Sequence, residues 1–292
     1  LLARAGGCAR VPASRVALVL QVLHLSPHPD DELIGAPATL MALRDAGATI
    51  TNFACSLGSD PRRRRLELTS ACARARFELL IADIDYFESA RSLQAEVLLE
   101  PLIKKLGIND YDLIVAPSPH DGHPAHEMVG RIAVRIAEKY RRRLWLWGTW
   151  ADLPLPNIVS EFSEERLEEI LGCLALHRGE LERNDYSQLI IGSSRANARL
   201  ASERVFGFGA AGLESEFAEV CTEVLFDQGR ALLGASRLLD PEAPLSQAES
   251  SRQFGFRVGR GSESRPGECF DISAWLYRDS LNQLLASPET SG

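Results

Sequence analysis

The stretch VALVLQVLHLSPHPDDELI, residues 16–34, decides how the chain is read. Val16–Leu25 is a continuous apolar run, the pattern of a strand covered on both faces. Arg4, Arg10 and Arg15 ahead of it faintly imitate a signal peptide, but the run leads straight into a chemically loaded segment, as a first core strand does. Helical spacing resumes over Ile34–Ala46 and ends at Gly47. Between strand and helix stand His28, Asp30, Asp31 and Glu32, with Pro27 and Pro29 restricting the backbone around the imidazole. Acids at a helix start also serve as caps, so Asp30, Asp31 and Glu32 alone would decide little. A histidine between two prolines is not needed for capping.

The same alternation continues outward from this point. Thr49–Cys55 reads as a strand, Arg64–Leu80 as a helix, Ile84–Phe87 as a short strand and Ala95–Leu106 as a helix. Tyr111–Ala116 is a second continuous apolar strand, Pro124–Tyr140 a helix and Leu144–Trp150 a strand. The β-α-β-α order predicts an α/β domain with a mostly parallel sheet and helices on both faces. In such sheets ligands bind beyond the carboxyl ends of the strands. Later, Glu164–Glu182 and Arg195–Ser202 read as helices and Phe217–Phe226 as a strand. Residues 15–235 are taken as the domain. Residues 236–292, rich in Gly, Ser and Pro, are taken as an irregular C-terminal tail with a terminal helix over Ala274–Leu285.

Composition bounds the function. At 292 residues and 45% hydrophobic content the chain can bury a large core. A formal net charge of -8 argues against nucleic acid or an anionic membrane as the main partner. No apolar run reaches the roughly 18 residues of a membrane span. The six cysteines form no CxxC pair, which suits reduced, buried thiols and a cytoplasmic location.

A second loaded segment, Ser118–His126, follows the Tyr111–Ala116 strand and holds half of the six histidines: His120, His123 and His126. His123 and His126, three apart at a helix start, can face one centre. Both loaded segments fall at the carboxyl ends of strands in one sheet. Together they offer His28, Asp31 and His126, a two-histidine, one-carboxylate set with an open position, which is the pattern of a catalytic Zn²⁺ site. Spare acids and a spare histidine remain beside it for proton transfer. Trp150 and Asp121 lie at the same sheet end and are candidate substrate contacts, whereas Trp145 and Trp147 read as core. His24 reads as buried and hydrogen-bonded. His177 reads as a surface or packing residue.

Pro27–Glu32 resembles the PHPDDE signature of the PIG-L/LmbE family of N-acetylglucosaminyl deacetylases, and His123–His126 resembles its second signature, His-Pro-Asp-His. The resemblance covers residues 22–150 and implies a Rossmann-like fold and zinc-dependent removal of an N-acetyl group. It implies that His28, Asp31 and His126 bind zinc, that Asp30 is the general base and that His123 is the cation meeting the oxyanion. Arg64 and Glu67 resemble an Arg-x-x-Glu pair whose arginine holds substrate. Ala125 departs from the pattern where Asp is usual, and Ser59-Asp60 departs from a Gly-Glu pair. Ser26–Pro37, Ser118–Glu127, Leu144–Pro156 and Glu203–Gly209 further resemble the glycopeptide-antibiotic pseudoaglycone deacetylases, so the expected partner is a small N-acetyl amino sugar or a glycopeptide. Two alternatives stand beside this. One is a thiol-pathway deacetylase or conjugate amidase of the same fold. The other is a non-catalytic sugar- or nucleotide-binding module, which would normally carry a Gly-rich loop where this chain has Pro27-His28-Pro29.

Overall fold

A computed structural model describes residues 19–82, 92–245 and 270–278. The first part runs β1 (Gln21–Ser26), α1 (Asp31–Ile34), α2 (Pro37–Asp45), β2 (Thr49–Ala54), α3 (Pro61–Ala75), β3 (Glu78–Ile81), α4 (Ser92–Lys105), β4 (Leu113–Pro117), α5 (Pro124–Tyr140) and β5 (Arg143–Trp147). The second adds β6 (Ile158–Phe162), α6 (Glu164–Leu174), α7 (Arg178–Arg183), α8 (Tyr186–Phe206), β7 (Phe217–Asp227), β8 (Arg230–Leu233), β9 (Arg237–Leu238), β10 (Phe270–Asp271) and α9 (Ser273–Leu276).

Strands β3-β2-β1-β4-β5 lie side by side and parallel, and β7, β8 and β10 extend the sheet antiparallel. The early residues of β7 also pair with β6, which in turn pairs with β9. Alternation along β1 explains the layering. Val22 packs with α2, α3 and α6 on one face, while Leu23 and Leu25 pack with α4 and α5 on the other. The mostly parallel sheet with helices on both faces is therefore as read from the sequence. The connections from β1 and from β4 leave toward opposite edges. The loops after these two strands consequently face each other across a switch point, where such sheets open a crevice.

Several boundaries differ from the sequence reading, each for a physical reason. The helix expected over Ile34–Ala46 is two: α1 stops before Ala36, which the following Pro37 pushes out of helical conformation, and Pro37 then starts α2. The helix expected to run to Leu80 ends at Ala75. Arg76 adopts a left-handed cap (φ 59°), and residues 78–81 form the half-exposed edge strand β3. At its other end this helix begins earlier than expected, at Pro61, with Asp60 accepting the Arg63 N–H at 3.2 Å. The strand expected at Ile84–Phe87 lies outside the described residues. Glu164–Glu182 breaks at Ala175–His177 into α6 and α7, and α8 is far longer than the expected Arg195–Ser202. Within 236–292, β9 and β10 join the sheet, and the described part of the expected terminal helix is the single turn α9. Cys55, Cys72, Cys173 and Cys221 are free and buried. No described helix is long and apolar enough to cross a membrane.

Candidate active site

The loop after β1 and the start of α5 bring three imidazoles together. Ring nitrogens of His28, His123 and His126 all lie within 4.8 Å of one another. Pro124 at the first position of α5 opens the helix directly after His123, so His126 comes round one turn later on the same side. Asp31, on α1, sits between two of the rings. Its Oδ2 is 3.4 Å from His28 Nδ1, and its Oδ1 is 3.3 Å from His126 Nε2. Oδ2 also accepts the His28 backbone N–H at 2.7 Å, which ties ring and carboxylate into one rigid turn. The structure thus brings His28, Asp31 and His126 into mutual reach, with His123 beside them.

Electrostatics separate the two adjacent aspartates. Burial raises the Asp30 pKa well above the ordinary value, and the Asp31 charge raises it further, against the pull of Arg64. Burial would raise Asp31 too, but His126 and His28 outweigh it and hold Asp31 well below the ordinary value. One carboxyl is therefore adapted to carry a proton and its neighbour to stay charged, a division found where acid–base roles are split. For His126, burial is overcome by Asp31 and Asp121, and the ring is pushed up to about 10. His123 moves the other way. Burial first, then His126 and His28, lower it to about 4, so its imidazole is neutral at neutral pH rather than the cation that the family resemblance implies.

Asp121, expected to touch substrate, is fully buried behind His126. Its Oδ2 lies 2.8 Å from His126 Nδ1, while its Oδ1 accepts the backbone N–H groups of Thr149 and Trp150 at 2.6 and 3.2 Å. It joins the loop after β4 to the loop after β5. Trp147 lies beneath, its ring edge-on to His126 at 5.3 Å, and Trp145 and Trp147 are core as expected. His24 is buried with Nδ1 2.8 Å from Asn52 Oδ1, also as expected.

A cavity of about 520 Å³ opens over this cluster. Asp30, Arg64 and Trp150 line it. Arg64 is buried, donates to the Pro29 carbonyl at 2.7 Å and forms an ion pair with Glu180. Glu67 accepts from Arg63 at 2.9 Å and from the Gly179 N–H at 3.0 Å. Trp150 is half exposed, its ring 6.2 Å from both His123 and Tyr186.

The far wall of the cavity, Glu180, Arg183 and Tyr186, was missed. Arg183 donates to Glu180 at 2.6 Å and to the Tyr186 hydroxyl at 2.7 Å. In the sequence, Glu180 and Arg183 look like any solvated (i, i+3) pair, and Asn184-Asp185-Tyr186 looks like a turn. The usable signal was Asp185 as a helix cap, since its side chain accepts the Ser187 N–H and places Tyr186 at the start of α8. His177 is not a surface residue: it is fully buried, with Nε2 2.6 Å from Glu32 Oε1.

Residues 23–137 match the family model of the GlcNAc-PI de-N-acetylases, PIG-L. No curated protein matches the chain. Among solved structures, the A40926 pseudoaglycone deacetylase is 17% identical, covering 68% of this chain and 95% of its own, with a TM-score of 0.51. The N,N'-diacetylchitobiose deacetylase from Pyrococcus horikoshii is 18% identical over 70% of this chain and 83% of its own, with a TM-score of 0.52. A 4-carboxy-2-hydroxymuconate hydratase from Pseudomonas putida, 13% identical, covers 72% of this chain and 98% of its own at a TM-score of 0.54, so the shared fold alone does not fix the reaction. Residues 23–137, which carry both histidine-bearing loops, are a PIG-L family domain.

Proposed function

We propose that the chain is a zinc-dependent N-deacetylase that hydrolyses the N-acetyl group of an N-acetylglucosaminyl moiety, carried on a glycopeptide pseudoaglycone. The observation that carries the reading is the sharing of Asp31 between His28 and His126. Bonds of about 2.0–2.2 Å to a tetrahedral ion set neighbouring donor atoms roughly 3.3–3.5 Å apart. The two Asp31–imidazole separations, 3.4 and 3.3 Å, fit that requirement. His28, Asp31 and His126 would hold the ion, which when bound polarises a carbonyl and makes water a stronger acid. Iron(II) or cobalt suits the same donors.

The chain's own groups do the rest. Asp30, its pKa raised, takes a proton from the attacking water as the water oxygen bonds to the acetamide carbon. His123 faces the carbonyl oxygen as charge develops there and donates a ring N–H to it; one such donor is typically worth about 3 kcal/mol. When the C–N bond breaks, the proton on Asp30 passes to the nitrogen, and acetate and a free amine leave. Asp121 orients His126 rather than substrate. Arg64 binds substrate at the cavity wall, and Trp150 offers its face to a sugar or aglycone ring.

Two observations support the substrate class. The family matched by residues 23–137 acts on an N-acetylglucosaminyl group, and the A40926 pseudoaglycone deacetylase shares the fold. The test is acetate release by zinc-reconstituted and chelator-treated protein from three substrates: an N-acetylglucosaminyl pseudoaglycone, N,N'-diacetylchitobiose and a thiol-linked N-acetylglucosaminide. Release from the pseudoaglycone that needs metal is the expected result. Release from the thiol conjugate alone would move the chain to the thiol pathways. Sugar binding with neither release nor retained metal would make it a binding module.

A further inference from the structure

Asp30 has an unusual backbone. Its φ of 111° lies in the left-handed region. A non-glycine residue keeps such a conformation only where the surroundings enforce it. What enforces it here is visible. The Asp30 N–H donates to Glu32 Oε2 at 3.0 Å, and the other oxygen, Glu32 Oε1, stands 2.6 Å from His177 Nε2. Since a carboxylate only accepts, Nε2 carries the proton in this contact. Glu32 and His177 are both 0% exposed, and neither lines the cavity. His177 caps α7 from the turn after α6, far along the chain from Glu32 and beyond the residues that match the family.

We infer that Glu32 and His177 form a positioning pair that fixes the Asp30 backbone, and so aims its carboxyl, without either touching substrate. The inference rests on the deacetylase reading for its kinetic consequence but not for its geometry. Both Glu32 oxygens are engaged, so the carboxylate can hold Asp30 only while its own direction is set from the other side. His177 sets it. The same turn leads into α7, whose Glu180 holds Arg64 at the cavity wall. One buried contact thus registers the loop after β1 against the α6–α7 turn.

The test compares His177→Leu, which removes the donor, with His177→Gln, whose amide can still donate. It adds Glu32→Leu, which offers neither partner an acceptor. Metal content, kcat and KM are measured for acetate release, and amide exchange is followed over residues 28–34. The expected result is a fall in kcat of about 10- to 100-fold in His177→Leu and Glu32→Leu, with KM and metal content unchanged. His177→Gln stays within about threefold of the parent, on the same scale. Exchange at Asp30 rises only in the two impaired variants. If His177→Leu fails to fold, Glu32→Leu carries the comparison. A folded, metal-loaded Glu32→Leu or His177→Leu with parental kcat overturns the inference. Should the parent chain release no acetate from any acetamido sugar, the function is wrong, and amide exchange alone decides the pair: equal protection of Asp30 in parent and variants rejects it.

Discussion

The two regions on either side of Trp147 contribute to the cavity in different ways. Before it, each group of the proposed centre follows a parallel strand within about ten residues: His28, Asp30 and Asp31 after β1, His123 and His126 after β4. After it, Trp150, Glu180, Arg183 and Tyr186 build the wall from a loop and two helix ends, and His177 and Glu219 act from behind. The difference separates chemistry from its setting. A motif at a strand end supplies reacting groups at fixed short spacing, whereas the wall is assembled from residues whose proximity exists only in the folded chain. Damage to the first region should therefore abolish turnover, and damage to the cavity wall should tune binding, while His177 and Glu219 act only through the groups of the first region that they hold.

The largest effect is expected at Asp30. Asp30→Asn preserves size and the Asp31–histidine cluster but removes the proton acceptor, so kcat/KM for acetate release should drop between about 10²- and 10⁴-fold with metal content unchanged. Parental activity in that variant would break the division just drawn. His126→Ala comes next. It removes a donor that both Asp31 and Asp121 address, and affinity for zinc should fall by at least about 100-fold, the upper end seen for partners one layer further out. Metal analysis after dialysis reads this directly, and full retention would take His126 out of the donor set.

The same division explains what was legible in the sequence. β1 and β4 are rich in apolar residues because helices cover both faces, and the histidine-bearing loops follow them, so strand, loop and histidine cluster could be read together. Periodicity failed where two signals overlapped. Residues 78–81 continue the helical spacing of α3, yet Arg76 turns the chain and the edge strand β3 results. It also failed at Ala175–His177. There the chain turns between α6 and α7, and His177 meets Glu32 in a buried contact that no local pattern encodes. Asp121 was placed in the right loop with the wrong orientation. Whether an acid at a strand end faces the cavity or the ring behind it depends on the loop after β5, whose amides it accepts.

Glu219 tests whether the second region steadies the first. On β7, its carboxylate accepts the N–H groups of Ala38 and Thr39 at 2.8 Å each, closing the start of α2 from the other half of the chain. Burial nevertheless raises its pKa from an ordinary 4.5 to about 7, against the pull of those amides. Because the folded state binds the proton more tightly than the unfolded chain, the resulting stabilisation is complete below about pH 4.5 and is lost as pH rises toward 7. Relative to Glu219→Gln, which cannot ionise, the parent should lose roughly 3 kcal/mol over that interval. Urea denaturation of both proteins at pH 4.5 and at pH 7.5 gives the comparison. Parallel behaviour of the two would mean that folding leaves the Glu219 pKa where it is in the unfolded chain.

Trp150 should give the smallest effect and the sharpest one for the comparison. It is the only aromatic side chain among the described residues that lines the cavity and is also half exposed, and its amide is held by Asp121, the same carboxylate that orients His126. Losing the indole while keeping the backbone should therefore remove ring contact with substrate and leave the donor cluster in place. A face worth about 1–1.5 kcal/mol corresponds to a KM rise of roughly tenfold in Trp150→Ala. kcat should change little, because uniform binding is removed rather than an interaction special to the transition state. Trp150→Phe should recover most of the affinity. If Trp150→Ala instead lowers kcat with KM intact, the indole acts on His123, whose ring lies 6.2 Å away, and the wall is then part of the chemistry rather than its setting.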